Sequence, residues 1–286
     1  VQSVTFTNVR GESITFGMSP PFILARIDGT GGPGADIKTT KSPYQDGASY
    51  VGTQLDERDI SLDVTIKGTS REDMYTQRRW LLRVVNPKLG PGLLVYRNDS
   101  RSYAIPAICD TNSPSWGRRF AHNQEFTLAF TCPDPYWRDE SQVVKGLKFE
   151  DGGLTFPLRL ATTFAFSSYR GIFTNDGDVD TPLEIHYKGP AANPVVLNET
   201  TGEYIKINYE LSATDVLHIN TAFGNKRVEV IKSDGSRVNV FHWIDLASTF
   251  FQLIPGKNML RYSSDRETDW QLANVMVYWH NRYYGG

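Results

Sequence analysis

Two prolines one residue apart divide this chain, in Cys132-Pro133-Asp134-Pro135-Tyr136-Trp137-Arg138-Asp139. Neither can donate to a sheet ladder, and each drives the residue before it out of the helical region. The strand-like run Phe126–Phe130 therefore has to stop there. The stretch that follows, Arg138–Lys148, is polar and charged and has no clear period. Before the prolines, strand patterns mix with one helix; after them the chain reads as strands almost throughout. The predicted organisation is a first domain over 1–137 and a second over 145–286. A chain of 286 residues has room for both, each able to bury its own core.

Fifteen Phe, fourteen Tyr and six Trp, with many β-branched residues and few helical periods, favour sheet. The fold class read from this is mainly β: an N-terminal β-sandwich-like domain carrying one α-helix, then a C-terminal β-sandwich. The formal net charge of −2 gives no basic excess for nucleic-acid or anionic-membrane binding. No apolar run approaches the ~20 residues of a membrane helix. Val1–Arg10 alternates and lacks the charged-then-apolar order of a signal peptide.

In the first domain, Val4–Thr7 and Ser13–Phe16 predict a hairpin turning at Arg10-Gly11, and Phe22–Ile27 a third strand. Gly29-Thr30-Gly31-Gly32-Pro33-Gly34 formally matches a dinucleotide fingerprint, but Pro33 interrupts it and no helix follows, which favours a flexible loop. Ser49–Leu55 and Ile60–Ile66 alternate cleanly about Asp56-Glu57-Arg58-Asp59, predicting one long hairpin with a charged turn. Such a hairpin is marginal alone in water, so its apolar face (Ile60, Leu62, Val64, Ile66) is expected to find cover in a neighbouring subunit or on the domain's own helix. That helix is predicted over Arg71–Val85, with Ser70 and Asp73 resembling a capping box and Asn86-Pro87 ending it. Arg78 falls within its apolar stripe, as a snorkelling or paired arginine. Trp80 lies outside the stripe, as a lid over the sheet rim or a subunit contact. Gly92–Tyr96, Ser102–Cys109 and Asn123–Phe130 add three strands, with a turn over Asn112–Arg119.

The second domain predicts strands at Leu158–Phe164, Tyr169–Thr174, Leu183–Lys188, Pro194–Asn198, Glu203–Tyr209, Asp215–Asn220, Lys226–Ile231, Ser236–Val240, Met259–Ser263 and Leu272–Trp279. Their spacing of about ten residues, with turn residues between, is that of a sandwich.

A search for chemistry assigns no catalytic, cofactor-binding or metal-ligating residue, and no cofactor is expected. His122, His186, His218, His242 and His280 are scattered along the chain, without ligand spacing. Asp176-Gly177-Asp178-Val179-Asp180 resembles the start of a calcium loop but fails at Thr181 and Tyr187, where glycine and glutamate are required. Asp134, Asp139 and Glu140 read as a charged linker more readily than as a glycosidase pair. Asn98 and Asn198 open glycosylation sequons. Cys109 and Cys132 fall on neighbouring strands without lying opposite each other, and are expected as free thiols. An enzyme is therefore the weaker class. A structural assembly protein and a carbohydrate-binding adhesin that recognises host cell-wall glycans are the two non-enzyme readings.

The order of the pieces resembles the distal tail protein family of long-tailed bacteriophages, over nearly the whole chain. The residues that carry this are the opening hairpin with Gly11, Ile37-Lys38-Thr39-Thr40, Asp46-Gly47, and Arg58-Asp59-Ile60 beginning a strand. The densest stretch runs from Gly68-Thr69-Ser70-Arg71 through Tyr75, Arg78-Arg79 and Leu81-Leu82 to Asn86-Pro87-Lys88. Asp134-Pro135-Tyr136-Trp137 follows, then Asn175-Asp176-Gly177-Asp178 before Pro182, Ile244-Asp245-Leu246 with Phe250-Phe251-Gln252-Leu253, and Pro255-Gly256-Lys257-Asn258. The resemblance implies a galectin-like fold for the second domain. It also implies a homo-hexameric hub ring with passive DNA passage through its lumen. The implied partners are the tail tube protein, the tail-associated hub protein and receptor-binding or baseplate proteins, with no membrane. The implied location is the virion tail tip, after assembly in the bacterial host cytoplasm.

Overall fold

The computed structural model describes residues 2–147, 170–270 and 272–286. It divides into two compact units: Val1–Glu140 together with Tyr283–Gly286, and Ser141–Arg282. The sequence reading left 138–144 between its domains and ran the second domain to 286. In the structure the last four residues return to the first unit.

The first unit contains β1 (Ser3–Thr7), β2 (Ser13–Phe16), β3 (Phe22–Asp28), β4 (Ala35–Thr40), β5 (Ser49–Leu55) and β6 (Arg58–Lys67). Then come α1 (Arg71–Val84), β7 (Gly92–Arg97), β8 (Ser102–Cys109), β9 (Ser115–Phe120), β10 (Asn123–Cys132) and β11 (Trp137–Asp139). The main sheet runs β2-β1-β7-β8-β10-β6-β3. Gly17, just past β2, donates its N–H to the Phe22 carbonyl at 3.1 Å, and its own carbonyl accepts the Leu24 N–H at 2.7 Å. These two bonds bring the end strands together, so the sheet curls around one core.

β6 is central. It pairs with β10 from Arg58↔Cys132 to Lys67↔Asn123, and with β3 on its other side. The register sets Ile60 against Phe130, Leu62 against Leu128 and Val64 against Phe126. Ile60, Leu62, Val64 and Ile66 are each at most 2% exposed, and each contributes about 1.5–3 kcal/mol by burial. This corrects the expected Ser49–Ile66 hairpin. The alternation of β6 is the signature of a strand with neighbours on both sides and one face in the core, so its apolar face is already covered within the protomer. β5 pairs with β4 instead. Arg58 likewise is not an exposed turn residue; it opens β6 and is 1% exposed. The expected turn at Asn112–Arg119 is also revised, because Ser115–Phe120 forms β9 and pairs with β10.

α1 forms as its caps dictate. The Ser70 side chain accepts the Asp73 N–H at 3.1 Å, and Asp73 Oδ2 accepts the Thr69 N–H at 2.8 Å. Asp is shorter than the usual Glu, and it satisfies the residue before the cap. Such a cap is worth about 1 kcal/mol. Met74, Leu81 and Val84 are buried from this helix, and Asn86-Pro87 opens a short 3-10 turn (Pro87–Leu89) after it.

The second unit contains β12 (Val143–Leu147), β13 (Arg170–Asn175), β14 (Leu183–Lys188), β15 (Ala191–Ala192), β16 (Val195–Asn198), β17 (Glu203–Lys206) and β18 (Glu210–Leu211). It continues with β19 (Val216–Asn220), β20 (Arg227–Ile231), β21 (Arg237–Asn239), β22 (Gly256–Ser263), the one-turn helix α2 (Glu267–Trp270) and β23 (Asn274–Trp279). A six-stranded sheet, β12-β23-β14-β19-β20-β21, and a four-stranded sheet, β13-β22-β16-β17, share one core. Ile185, Tyr187, Leu217, Ile219, Val228 and Val230 enter it from the first sheet; Phe173, Val196, Ile205, Leu260 and Tyr262 enter from the second. This is the sandwich read from strand spacing. Gly235 turns β20 into β21 at φ +80, where a side chain would be strained. The expected strand Leu158–Phe164, and Tyr169 of the next, lie outside the described residues. Val143–Leu147, read from sequence as patternless, is β12 and pairs along β23.

Candidate functional site

The dividing stretch and the glycine loop meet at Arg58. Its Nε donates to the Pro135 carbonyl at 2.7 Å, Nη1 to the carbonyls of Gly29 at 2.8 Å and of Gly31, and Nη2 to that of Tyr284 at 2.6 Å. Its guanidinium carbon also lies 5.7 Å from the centroid of the Trp137 ring, itself fully buried. Burial pushes the Arg58 pKa down from its ordinary value, and the planar fork offsets that cost by distributing its donors over four carbonyls. The glycine loop turns two of its carbonyls onto an arginine, a use of its backbone unlike the N–H cradle of a dinucleotide loop. Gly29, at φ +86, would drive a Cβ to 2.0 Å from the Asp59 carbonyl oxygen.

Beyond this knot the chain leaves the core. β4 is exposed at every residue and β5 at five of seven, and the two pair only with each other. Cross-strand pairs Ala35↔Leu55 and Ile37↔Thr53 share one face, and the Tyr50 hydroxyl donates to Thr53 Oγ1 at 3.0 Å. The other face carries Asp36, Lys38 and Gln54, with Lys38 Nζ donating to Gln54 at 3.0 Å. Ile37 is 62% exposed and Tyr50 67%. The ribbon is thus amphipathic, and its apolar face is uncovered in the protomer.

A groove of about 510 Å³ runs along the β2–β3 connection, lined by Ile14, Met18, Pro20, Phe22, Gln77 and Trp80 among others. Trp80 is partly exposed there, with the Arg83 guanidinium 5.6 Å from its ring. Arg78 lies over the Trp116 ring at 3.8 Å and near Tyr75 at 5.6 Å, so its charge is placed against aromatic faces.

In the second unit the sheet assembles a cluster that linear spacing does not display. His186 on β14 and His218 on β19 are cross-strand partners. Their rings meet edge-on with centroids 4.9 Å apart, and His186 lies 4.7 Å from Tyr278. Glu184, two residues along the same face of β14, accepts from His218 Nε2 and lies 3.5 Å from His186 Nε2. Glu229 on β20 lies 3.8 Å from His218 Nδ1 and pairs with Arg237 at 3.2 Å. Burial first, and His218 second, hold the His186 pKa below its usual value.

The remaining sequence candidates are spent on structure. Asp139 accepts from the Tyr283 hydroxyl at 3.2 Å, Glu140 pairs with Arg97 at 3.2 Å, and Asp134 accepts the Tyr136 N–H at 3.4 Å. The Asp176–Asp180 turn hangs on buried Asn175, whose Nδ2 donates to the carbonyls of Val179 at 2.9 Å and Leu253 at 3.0 Å. Asn198 is fully buried, with its amide against Asn258, and Asn98 caps its own turn by accepting from Ser100 and Arg101. Cys109 and Cys132 are free and buried. Burial pushes their thiols up to about 11 and about 12. Because the thiolate is the reactive form, neither is expected to react with a disulfide reagent at neutral pH in the native protein. Both are expected to react in urea; rapid native labelling of either would contradict their placement.

Residues 9–132 match the family described as phage tail protein RIFT-related domain, and residues 176–283 match the siphovirus-type tail component, C-terminal domain. Among solved structures, the chain is similar to the Dit protein of phage SPP1, described as a paradigm of the hub adsorption apparatus in phages infecting Gram-positive bacteria. The TM-score is 0.69 at 13% identity, over 99% of both chains. It is also similar to a chain of the phage p2 baseplate in its activated conformation, with strontium (TM-score 0.57, 14% identity, 97% of this chain and 98% of that one). The same baseplate with calcium gives a TM-score of 0.56 at 14% identity, over 97% of each chain. A comparison with curated proteins finds no match.

Proposed function

The chain belongs to the siphovirus-type tail component family, and from that premise we propose that it is the distal tail hub of a long-tailed phage or prophage: a homo-hexameric ring joining the tail tube to the tail-tip host-recognition apparatus. The observation that carries this reading is that two tail-component domains match in order along the chain. The first unit would build the ring. The second, the galectin-like sandwich, would carry baseplate or receptor-binding proteins, while the tail tube and the tail-associated hub protein stack on the ring. Assembly in the host cytoplasm and residence at the virion tail tip follow from that role, which requires no catalysis by this chain.

The geometry of the first unit supports the ring. A closed ring of identical subunits needs two different complementary surfaces. The β4–β5 ribbon supplies one, because a two-stranded ribbon with one apolar face is marginal by itself and gains stability where a neighbour covers it. The net charge of −2 suits a lumen that lets DNA through without holding it, since affinity for DNA comes mainly from phosphate neutralisation.

Light scattering on the purified chain tests the reading. The expected mass is that of six chains. A monomer across the micromolar range that binds host cell-wall glycans would contradict it and favour the adhesin.

A further inference from the structure

We propose that Glu184, His186 and His218 form a binding site for a divalent transition metal, zinc in the first instance, on the face of the six-stranded sheet turned away from the core. One ligand atom from each of these residues lies within 4.8 Å of the other two. Two imidazoles and a carboxylate, with a fourth position left to water or a partner's side chain, are a donor set that zinc takes. Two nitrogens among three donors disfavour calcium and magnesium, which take oxygen.

The sheet holds the donors in place before any metal arrives. β14 and β19 are inner strands, so the His186–His218 pairing cannot slip without moving Ile185, Tyr187, Leu217 and Ile219 out of the core. Both Nε2 atoms converge on one oxygen of Glu184. The 3.5 Å between His186 Nε2 and that oxygen is close to the ligand–ligand edge of about 3.4 Å that tetrahedral bonds of about 2.0–2.1 Å produce. The His218 contact is tighter, and a metal ion entering there takes the place of that hydrogen bond's proton as the partly exposed Glu184 carboxylate shifts to widen the gap.

His218 carries the second, independent sign. Its side chain is 8% exposed, and its buried Nδ1 has no hydrogen-bond partner. Glu229 stands 3.8 Å from that atom, with Arg237 on its far side. When Nε2 takes a metal, Nδ1 must carry the proton, and a carboxylate beyond it fixes that tautomer. His186 faces His218 and Tyr278, which hold its ring beside the other two donors. Without a metal, the same residues make a hydrogen-bonded ion-pair network and nothing more; the two cases separate on zinc.

The test is titration of the full-length chain, stripped with EDTA, by zinc alone. Calorimetry is expected to show one zinc per chain, and cobalt in its place to give the intense visible absorption of four-coordinate ligation. His186→Ala removes a side chain about one-third exposed, so the variant should fold, and it is expected to weaken binding by about a hundredfold or more. Glu229→Gln is expected to weaken it by about tenfold. Calcium is expected to give no signal. No zinc binding, or zinc binding unchanged in the His186→Ala protein, would overturn the proposal; in the second case the metal would lie on other residues.

Discussion

Arg58→Met is expected to lower the unfolding free energy of the first unit by about 2–4 kcal/mol. Replacing every member of a buried polar group with apolar residues can be nearly neutral, but this change removes only the donor. The carbonyls of Gly29, Gly31, Pro135 and Tyr284 stay behind in the protein without the arginine that served them. A carbonyl left unsatisfied costs about 1–3 kcal/mol where it is buried, and much less at Gly31 and Tyr284, which are exposed and open to water. Arg58→Lys should recover part of this, since a single ammonium can reach some of these oxygens but cannot fork to all four. Urea unfolding followed by tryptophan fluorescence measures both. The second unit has its own core and serves as an internal reference. A loss under about 1 kcal/mol would mean that the knot is not what closes the glycine loop and the C-terminus onto the dividing stretch.

Trimming the ribbon is expected to leave the protomer folded and abolish the ring. Ala35 pairs with Leu55, and the Asp56 N–H reaches the Gly34 carbonyl at 2.9 Å. Residues 37–53 can therefore be replaced by Asn-Gly, a two-residue turn between the paired Asp36 and Gln54. The removed residues bury almost nothing within the protomer, so thermal stability of the isolated chain should change by less than about 1 kcal/mol. Light scattering should fall from the hexamer to the monomer. A trimmed chain that still forms the intact ring would move the interface elsewhere, with Trp80 and its groove the next surface to probe.

Much of this fold was legible in the sequence. The helix announced itself through Ser70, Asp73 and Asn86-Pro87, because caps and stops are local chemistry. Leu183–Lys188 was readable to the residue because alternation reports a half-buried strand directly. What alternation cannot report is partnership. Ser49–Leu55 and Ile60–Ile66 both alternate, but the pattern of the second means a central strand and that of the first an exposed ribbon. The turn signal Asp46-Gly47 lay on the other side of Ser49 and could have paired β5 backwards with Ala35–Thr40. Arg58 was hidden for the same reason. In sequence it sits among Asp56, Glu57 and Asp59, and only the return of Tyr284 and the approach of Pro135 make it a buried residue. The histidine cluster was invisible to spacing rules drawn along one helix, since its members are 32 residues apart and meet across a sheet. Outward positions on neighbouring strands were the one available signal.

Negative-stain microscopy of the purified chain is the most direct measurement of the central claim. The account predicts class averages with six-fold symmetry around an open lumen for the full chain, and only single particles without symmetry for the trimmed-ribbon variant. Full-length protein that shows no ring at any concentration, with circular dichroism reporting a folded β protein, would contradict it.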